Sequence, residues 1–224
     1  RSNWMVKMSN YFNKVPNFKY TNLLNDGVDN KIQVKNLFRR VKLREDLYEN
    51  LNFFTKYFII GDERPDQVAK KLYDDSNLDW VILTANNILN MQSEWPMPQV
   101  VYNDYLLEKY GSYEELNESH HYESKRVFNS RNETIFPSGL RVDSTHRVQF
   151  YDRDLDVQVT IADASYRVTN YQYEENLQEK KRTIFILRPE YLNIAIEDLE
   201  EVMTYKKGST EYISGTLKDT EELF

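Results

Sequence analysis

Residues 59–88 read IIGDERPDQVAKKLYDDSNLDWVILTANNI, and the punctuation within them leaves few folds open. Pro65 has no backbone N–H to donate and suits the first turn of a helix. Val68, Ala69 and Leu72 then fall on one stripe at helical spacing. The polar run YDDSN interrupts that stripe. A second stripe follows through Leu78, Val81, Ile82 and Ala85, with Trp80 beside it. The apolar run NFFTKYFII upstream reads as a strand. Strand, helix, helix and then Asn-Asn before an apolar residue predict a small βααβ unit over residues 51–95.

The Gly-Asp opening of this stretch resembles a phosphate loop only superficially. It lacks the second glycine and the Lys-Ser/Thr pair of a Walker-type loop, and it lacks the glycine spacing of a dinucleotide fingerprint. The loops 61–64 and 86–90 are expected to present contacts instead. Gly61, Asp62, Glu63, Arg64, Asn86, Asn87 and Ile88 are the candidates for binding a protein or a sugar. Tyr57, Ile59, Val68, Ala69, Leu72, Trp80 and Ile82 are the expected core of the module.

Upstream, residues 1–30 are polar and aromatic with no sustained period and are expected to form an extended arm. Tyr11, Phe12, Phe18 and Tyr20 are costly to leave in water, so the arm is expected to wrap on a partner. Residues 31–44 hold Lys31, Lys35, Arg39, Arg40, Lys42 and Arg44 with no acid among them. Val34, Leu37, Phe38 and Val41 interleave at helical spacing and predict an amphipathic helix with a basic face. That face is either a solvated surface or a docking strip for an acidic partner, with Lys35, Arg39 and Arg40 as the contacts.

Pro96 and Pro98 mark a boundary. A helical link is expected over residues 99–122, broken at Gly111. Beyond it the pattern changes to period two: Leu155, Val157, Val159 and Ile161 alternate with polar residues as a half-buried strand. The run TIFIL (residues 183–187) predicts a strand buried on both faces. Pro189 opens a closing helix with Leu192, Ile196, Leu199 and Met203 on one stripe. The tail after Lys206 is expected to lie on the surface or on a partner. The fold class predicted is α+β: an arm and basic helix (1–50), the small module (51–95) and a linker with a β-rich region and closing helix (96–224).

Composition narrows the chemistry. The 224 residues are 40% hydrophobic and 29% charged, which suits a globular chain with a real core. A net charge of −7 disfavours generic nucleic-acid binding. There is no cysteine, so disulfides, thiolate nucleophiles and cysteine-ligated zinc are excluded. No apolar run reaches the ~18 residues of a membrane span, and no signal segment is visible at the start. The chain is therefore expected to be soluble and not exported, with no membrane partner. Its 17 tyrosines suit half-buried surfaces that meet other proteins, or equally a core rich in aromatics.

The remaining candidates for catalysis are weak. His120, His121 and Glu123 are close in sequence, but adjacent histidines point apart on a regular helix or strand. His146 is the third histidine of the chain, too few for a closed zinc site of about four ligands. Asp62 with Glu63, and Asp74 with Asp75, are neighbours that rarely reach the ~5–9 Å geometry of a glycosidase pair. No serine elbow is present. Neither a catalytic residue nor a metal or cofactor is expected.

Residues of about 55–90 resemble a LysM module, through YFIIGD (57–62), Val68-Ala69 and ANNI (85–88). The Gly-to-Ala interval is one residue longer than the usual pattern and the inter-helix loop is long, which remodels the groove where such modules hold N-acetylglucosamine. A longer resemblance spans nearly the whole chain. The succession KNLFRR, GDERPDQVAKKLYDDSNLDWVILTANNI, EWP, KYGS, HHYE and VTNYQYEENLQEKKRTIFILRPEYL is similar to the LysM-containing small baseplate wedge proteins of T-even-type contractile-tailed phages. What that resemblance implies is a non-enzymatic virion subunit, assembled in the host cytoplasm, that joins neighbouring wedges around the hub. Its implied partners are other wedge subunits, present in multiple copies in a ring, and the protein from which sheath assembly starts. The rival reading is a LysM-type module that binds peptidoglycan.

Overall fold

The computed structural model describes residues 11–21, 31–208 and 211–219. In chain order the elements begin with α1 (Tyr11–Lys14), β1 (Asn17–Thr21), β2 (Lys31–Lys35), α2 (Glu45–Glu49) and β3 (Phe54–Phe58). Next come α3 (Pro65–Tyr73), α4 (Asp79–Ala85), α5 (Met91–Glu94), α6 (Gln99–Tyr110) and α7 (Tyr113–Leu116). A run of short strands follows: β4 (Ser119–Ser124), β5 (Val127–Phe128), β6 (Thr134–Phe136), β7 (Arg141–Val142), β8 (Val148–Asp152), β9 (Val157–Ile161) and β10 (Ser165–Thr169). The chain then forms α8 (Asn170–Arg182), β11 (Thr183–Leu187), α9 (Leu192–Met203), β12 (Tyr212–Ser214) and β13 (Leu217–Lys218). The architecture is mixed α+β with small sheets. These elements gather into two units, Arg1–Trp95 with Thr183–Phe224, and Pro96–Arg182.

In the first unit, α3 starts at Pro65 as the sequence predicts and buries Val68 and Ala69, with Leu72 packed against the core. α4 buries Trp80, Val81, Ile82 and Ala85. The strand upstream of them, β3, pairs antiparallel with β11 from Phe58↔Thr183 to Phe54↔Leu187. The return strand of the helix pair thus comes from residues 183–187, not from the residues just after Asn87. There the chain instead turns through Asn87 at φ +53° and enters α5. Pairing to β11 leaves one face of this two-stranded sheet open. Ile184, Ile186 and Leu187 are buried, but Phe185 is 39% exposed, so TIFIL is covered on one side only.

Among the described residues, the stretches expected as arm and basic helix contribute two strands instead, at 17–21 and 31–35. β1 pairs antiparallel with β2 and parallel with β13, in a sheet of order β12-β13-β1-β2. Residues 11–21 are therefore built into the unit, with Val15 buried; residues 1–10 and 22–30 lie outside the described residues. Lys-Ile-Gln-Val-Lys has period two as well as helical spacing, and the neighbouring strand decides between them. Beyond it, Val41 and Leu43 are buried while Lys42 and Arg44 are exposed, again an extended alternation. One apolar core joins these distant pieces: Val15, Val41, Leu47, Ile82, Leu187 and Leu199 all belong to it. Each such aliphatic side chain contributes about 1.5–3 kcal/mol by burial.

The second unit is organised differently. α6 ends at Gly111, φ +82°, and α7 is capped by the Ser112 hydroxyl accepting from the Glu115 N–H at 3.2 Å. The helical link stops there, because β4 takes over from Ser119 and pairs with β10 and β7. Leu155 lies in the β8–β9 turn rather than in a strand, while Val157 to Ile161 pair with β8. Its apolar clusters are small, one around Tyr102, Leu106 and Leu116 and one around Val127, Val148 and Ala164. Between α6 and α8 sits a buried carboxylate, Glu174, 2% exposed. It accepts from Lys109 Nζ at 2.7 Å and from the Tyr110 hydroxyl at 2.9 Å. The bond to Glu174 and one to the Tyr105 hydroxyl raise the Lys109 pKa despite partial burial.

Candidate docking site

The loop from Gly61 to Arg64 is a polar lock. Gly61 takes φ +59°, which a glycine adopts without steric cost. Glu63 accepts from the Tyr57 hydroxyl at 2.8 Å, the Ile60 N–H at 3.1 Å and Lys71 Nζ at 3.1 Å. Burial pushes the Glu63 carboxyl up, but those three donors outweigh it and hold it below its ordinary range. The Trp95 indole N–H donates to the Glu63 carbonyl at 2.9 Å, so Trp95 is a core strut. Arg64 pairs with Asp66 at 3.1 Å.

At the other loop, Asn86 donates its amide to the Ile82 and Phe185 carbonyls, both at 2.8 Å, and accepts from the Phe185 N–H at 2.7 Å. That side chain completes the outer edge of β11 and has little left to offer a ligand. Ile88 closes the helix end through its N–H to the Leu83 carbonyl at 2.8 Å.

Two of the basic residues expected to dock are engaged within the unit. Lys35 donates to the Val15 carbonyl at 2.7 Å. Arg39 donates to the Val202 carbonyl at 2.7 Å and stacks over the Tyr205 ring at 4.6 Å. Arg40 is exposed, with one long contact of 3.5 Å to the Ile88 carbonyl. Of the aromatics, Tyr11 packs on Trp80 with ring centroids 5.9 Å apart, while Phe12 and Tyr20 are largely exposed. Phe18 stands at the edge of Tyr20, 6.4 Å away, and is half-buried.

The most prominent surface feature was hidden in the sequence. Leu37 and Phe38 sit on the turn after β2 and are 69% and 92% exposed. The turn is fixed: the Arg39 N–H donates to the Asn36 carbonyl at 3.2 Å, and the Phe38 N–H to the Asn36 side chain at 3.2 Å. Asn36 is itself held by its amide to the Tyr205 hydroxyl at 2.8 Å. Counting Leu37 and Phe38 into a helical stripe assigned them to a buried face; the strand ending at Lys35 turns them outward.

In the second unit His120 and His121 do not point apart. Their Nδ1 atoms are 2.8 Å from each other, and His121 Nε2 lies 3.1 Å from Glu123. The cause is a bulge: Val168 and Thr169 of β10 pair with His121 and Ser119, leaving His120 as an extra residue. His120 stacks on Tyr173 at 3.9 Å, and Glu123 accepts from the Tyr166 hydroxyl. Burial first, then His121 and Arg141, lower the His120 pKa. Among the described residues no three His, Cys, Asp or Glu side chains converge to hold a metal ion. Asp74, once paired with Asp75 as a conceivable acid couple, bonds to Lys70 at 2.6 Å. No described helix is long and apolar enough to cross a membrane.

In this unit the Leu37–Phe38 turn stands exposed beside Arg39 and Arg40, while the Glu63 and Asn86 side chains bond within the unit. Residues 8–202 match the family model described as base plate wedge protein 53, and the chain belongs to that family, the structural wedge proteins of the phage tail baseplate. No curated protein matches the chain.

Proposed function

We propose that this wedge protein clamps neighbouring wedge subunits together during baseplate assembly, in a virion of the T-even contractile-tailed type. The observation that carries the reading is the Leu37–Phe38 turn. Its apolar anchors stand in water on a backbone that Asn36 fixes, with Arg39 and Arg40 at the rim. Such an anchor gains by burial in a partner's pocket, and a charged rim sets orientation and register. A clamp grips two partners at once, so each weak contact gains from the high effective concentration created by the other. The subunit works in multiple copies around the hub, joining the wedges in the host cytoplasm.

The spatial order β3, α3, α4, β11 supports reading the helix pair as a LysM-like module whose return strand follows an inserted unit. In this role the module is an adhesive block for protein. The rival, a peptidoglycan-binding groove, loses its main polar candidate because the Asn86 amide is spent on Phe185. The test is to mix the purified chain with recombinant wedge subcomplex and follow mass by light scattering after size exclusion, with peptidoglycan pelleting in parallel. A stoichiometric mass increase without pelleting is expected. Pelleting without co-assembly would overturn the clamp.

A further inference from the structure

The contacts of the histidine pair in the second unit fix where its protons sit. His121 Nε2 stands 3.1 Å from Glu123, which also accepts from the Tyr166 hydroxyl. The Tyr166 bond first, then the His121 bond, hold the Glu123 carboxyl below its ordinary range against burial. At neutral pH it is therefore ionised and can only accept, so the proton of that contact is on His121 Nε2. In the neutral ring this leaves a lone pair on His121 Nδ1, and His120 Nδ1, 2.8 Å away, must donate to it. One added proton leaves one ring charged and one neutral, and the charged ring still donates to the neutral one. A second added proton breaks the contact, because it sets two N–H groups and two positive charges against each other.

The same two rings grip Tyr173 of α8. His120 lies on the Tyr173 ring at 3.9 Å with 11° between planes, and His121 meets it edge-on at 6.0 Å. Charged and titratable groups face the pair from each neighbouring element: Glu123 on β4, Tyr166 on β10, Arg141 on β7, Lys109 on α6, and Glu174 and Lys180 on α8. Burial opposes a charge on His120 most, then His121, Arg141 and Lys109, while Glu174 favours it.

We propose that His120 and His121 form a one-proton latch that holds α8 on β4, closed while the pair carries no charge or one and open when both rings are charged. In the open state the rings repel, His120 leaves Tyr173, and the strand–helix contact loosens. An isolated histidine titrates in one step; this pair takes its protons in two, and the second binds more weakly. The latch stabilises the unit at and above the ordinary histidine value of 6.5, and that stability is lost as pH falls through the second step. The device lies within this chain and is independent of the clamp reading.

The experiment is a ring-nitrogen NMR titration of the full chain with isotopically labelled histidine, read alongside amide hydrogen exchange. In mildly alkaline buffer His120 should show the Nδ1–H tautomer and His121 the Nε2–H tautomer. On acidification the second proton should bind about tenfold or more weakly than the first. Protection of the α8 amides around Tyr173 should fall with that second step. Two Nε2–H rings, two independent single-site curves, or α8 protection that ignores the second step overturns the proposal. His120→Asn keeps a neutral N–H donor in place of Nδ1 but cannot take a charge. It should hold α8 protected through the histidine range, and loss at the parent's pH overturns the latch. Should that variant not fold, the parent titration decides alone.

Discussion

The two units are held together by different physics. The first draws a continuous apolar core from segments scattered between Val15 and Met203. The second has two small apolar clusters and relies on hydrogen-bonded carboxylates: Glu174 between α6 and α8, Glu123 with Tyr166 and His121, and Asp152 at the β8–β9 turn. Asp152 accepts from the Ser130 N–H at 2.9 Å and from its hydroxyl at 2.7 Å. Those bonds, the hydroxyl first, hold its pKa below the ordinary value, and the Arg131 bond does the same for Asp154. Apolar burial is indifferent to pH, whereas the lowered carboxyls of Glu123, Asp152 and Asp154 and the lowered, half-buried imidazole of His120 are not. The first unit thus leans mainly on packing, and the second more on hydrogen-bonded polar groups beside two small apolar clusters.

The largest expected effect strikes the packed unit. Leu199→Ala removes a fully buried side chain from α9 and should cost about 2–5 kcal/mol. Denaturant unfolding checks it, and a loss below 1 kcal/mol would mean the core is less tightly coupled than its burial indicates. Next, Glu174→Ala in the second unit removes the acceptor of the Tyr110 hydroxyl and one of the two acceptors of Lys109, at about 1–3 kcal/mol. Hydrogen exchange should localise that loss to α6 and α8; a loss spread equally over both units would break the contrast.

Acid gives the sharpest distinction. His120 has a lowered pKa, so its contribution is present above the ordinary histidine value of 6.5 and fades as pH falls below it. Glu123, Asp152 and Asp154 are also lowered, so theirs persists above the ordinary carboxylate values and is lost on further acidification. In the first unit the signs oppose: Glu63 is lowered, but burial raises Asp79 and Asp198. Protection of β4, β10 and α8 amides should therefore fall before that of α3, α4 and β11 as pH drops from 7 to 4. The reverse order would contradict the assignment. A smaller effect, about 1–2 kcal/mol, is expected for Asn86→Ala, which uncaps α4 and frees the β11 edge together.

What the sequence revealed follows the same divide between local and distant causes. The helices at 65–73 and 79–85 were legible because Pro65 and the two stripes carry their own evidence. The closing helix behind Pro189 was legible for the same reason, with Leu199 and Met203 buried as its stripe requires. β11 was legible as a strand, but nothing local says that its partner is β3 or that Asn86 will bind it from 99 residues earlier. Residues 31–41 satisfied helical spacing, yet pairing with Asn17–Thr21 made them a strand and a turn. That one long-range choice moved Phe38 from an expected apolar helix stripe to the most exposed aromatic position among the described residues of the unit. The histidine pair was misread because a bulge depends on the register of the strand opposite.

The most direct measurement compares Phe38→Ser with the parent chain, in thermal unfolding and in co-assembly with wedge subcomplex. An exposed side chain predicts a stability change within about 0.5 kcal/mol. As a docking anchor, Phe38 predicts a loss of at least about 2 kcal/mol in association. Unchanged stability with lost co-assembly is the expected result. Unchanged co-assembly would contradict the claim that this turn holds the protein to its neighbours.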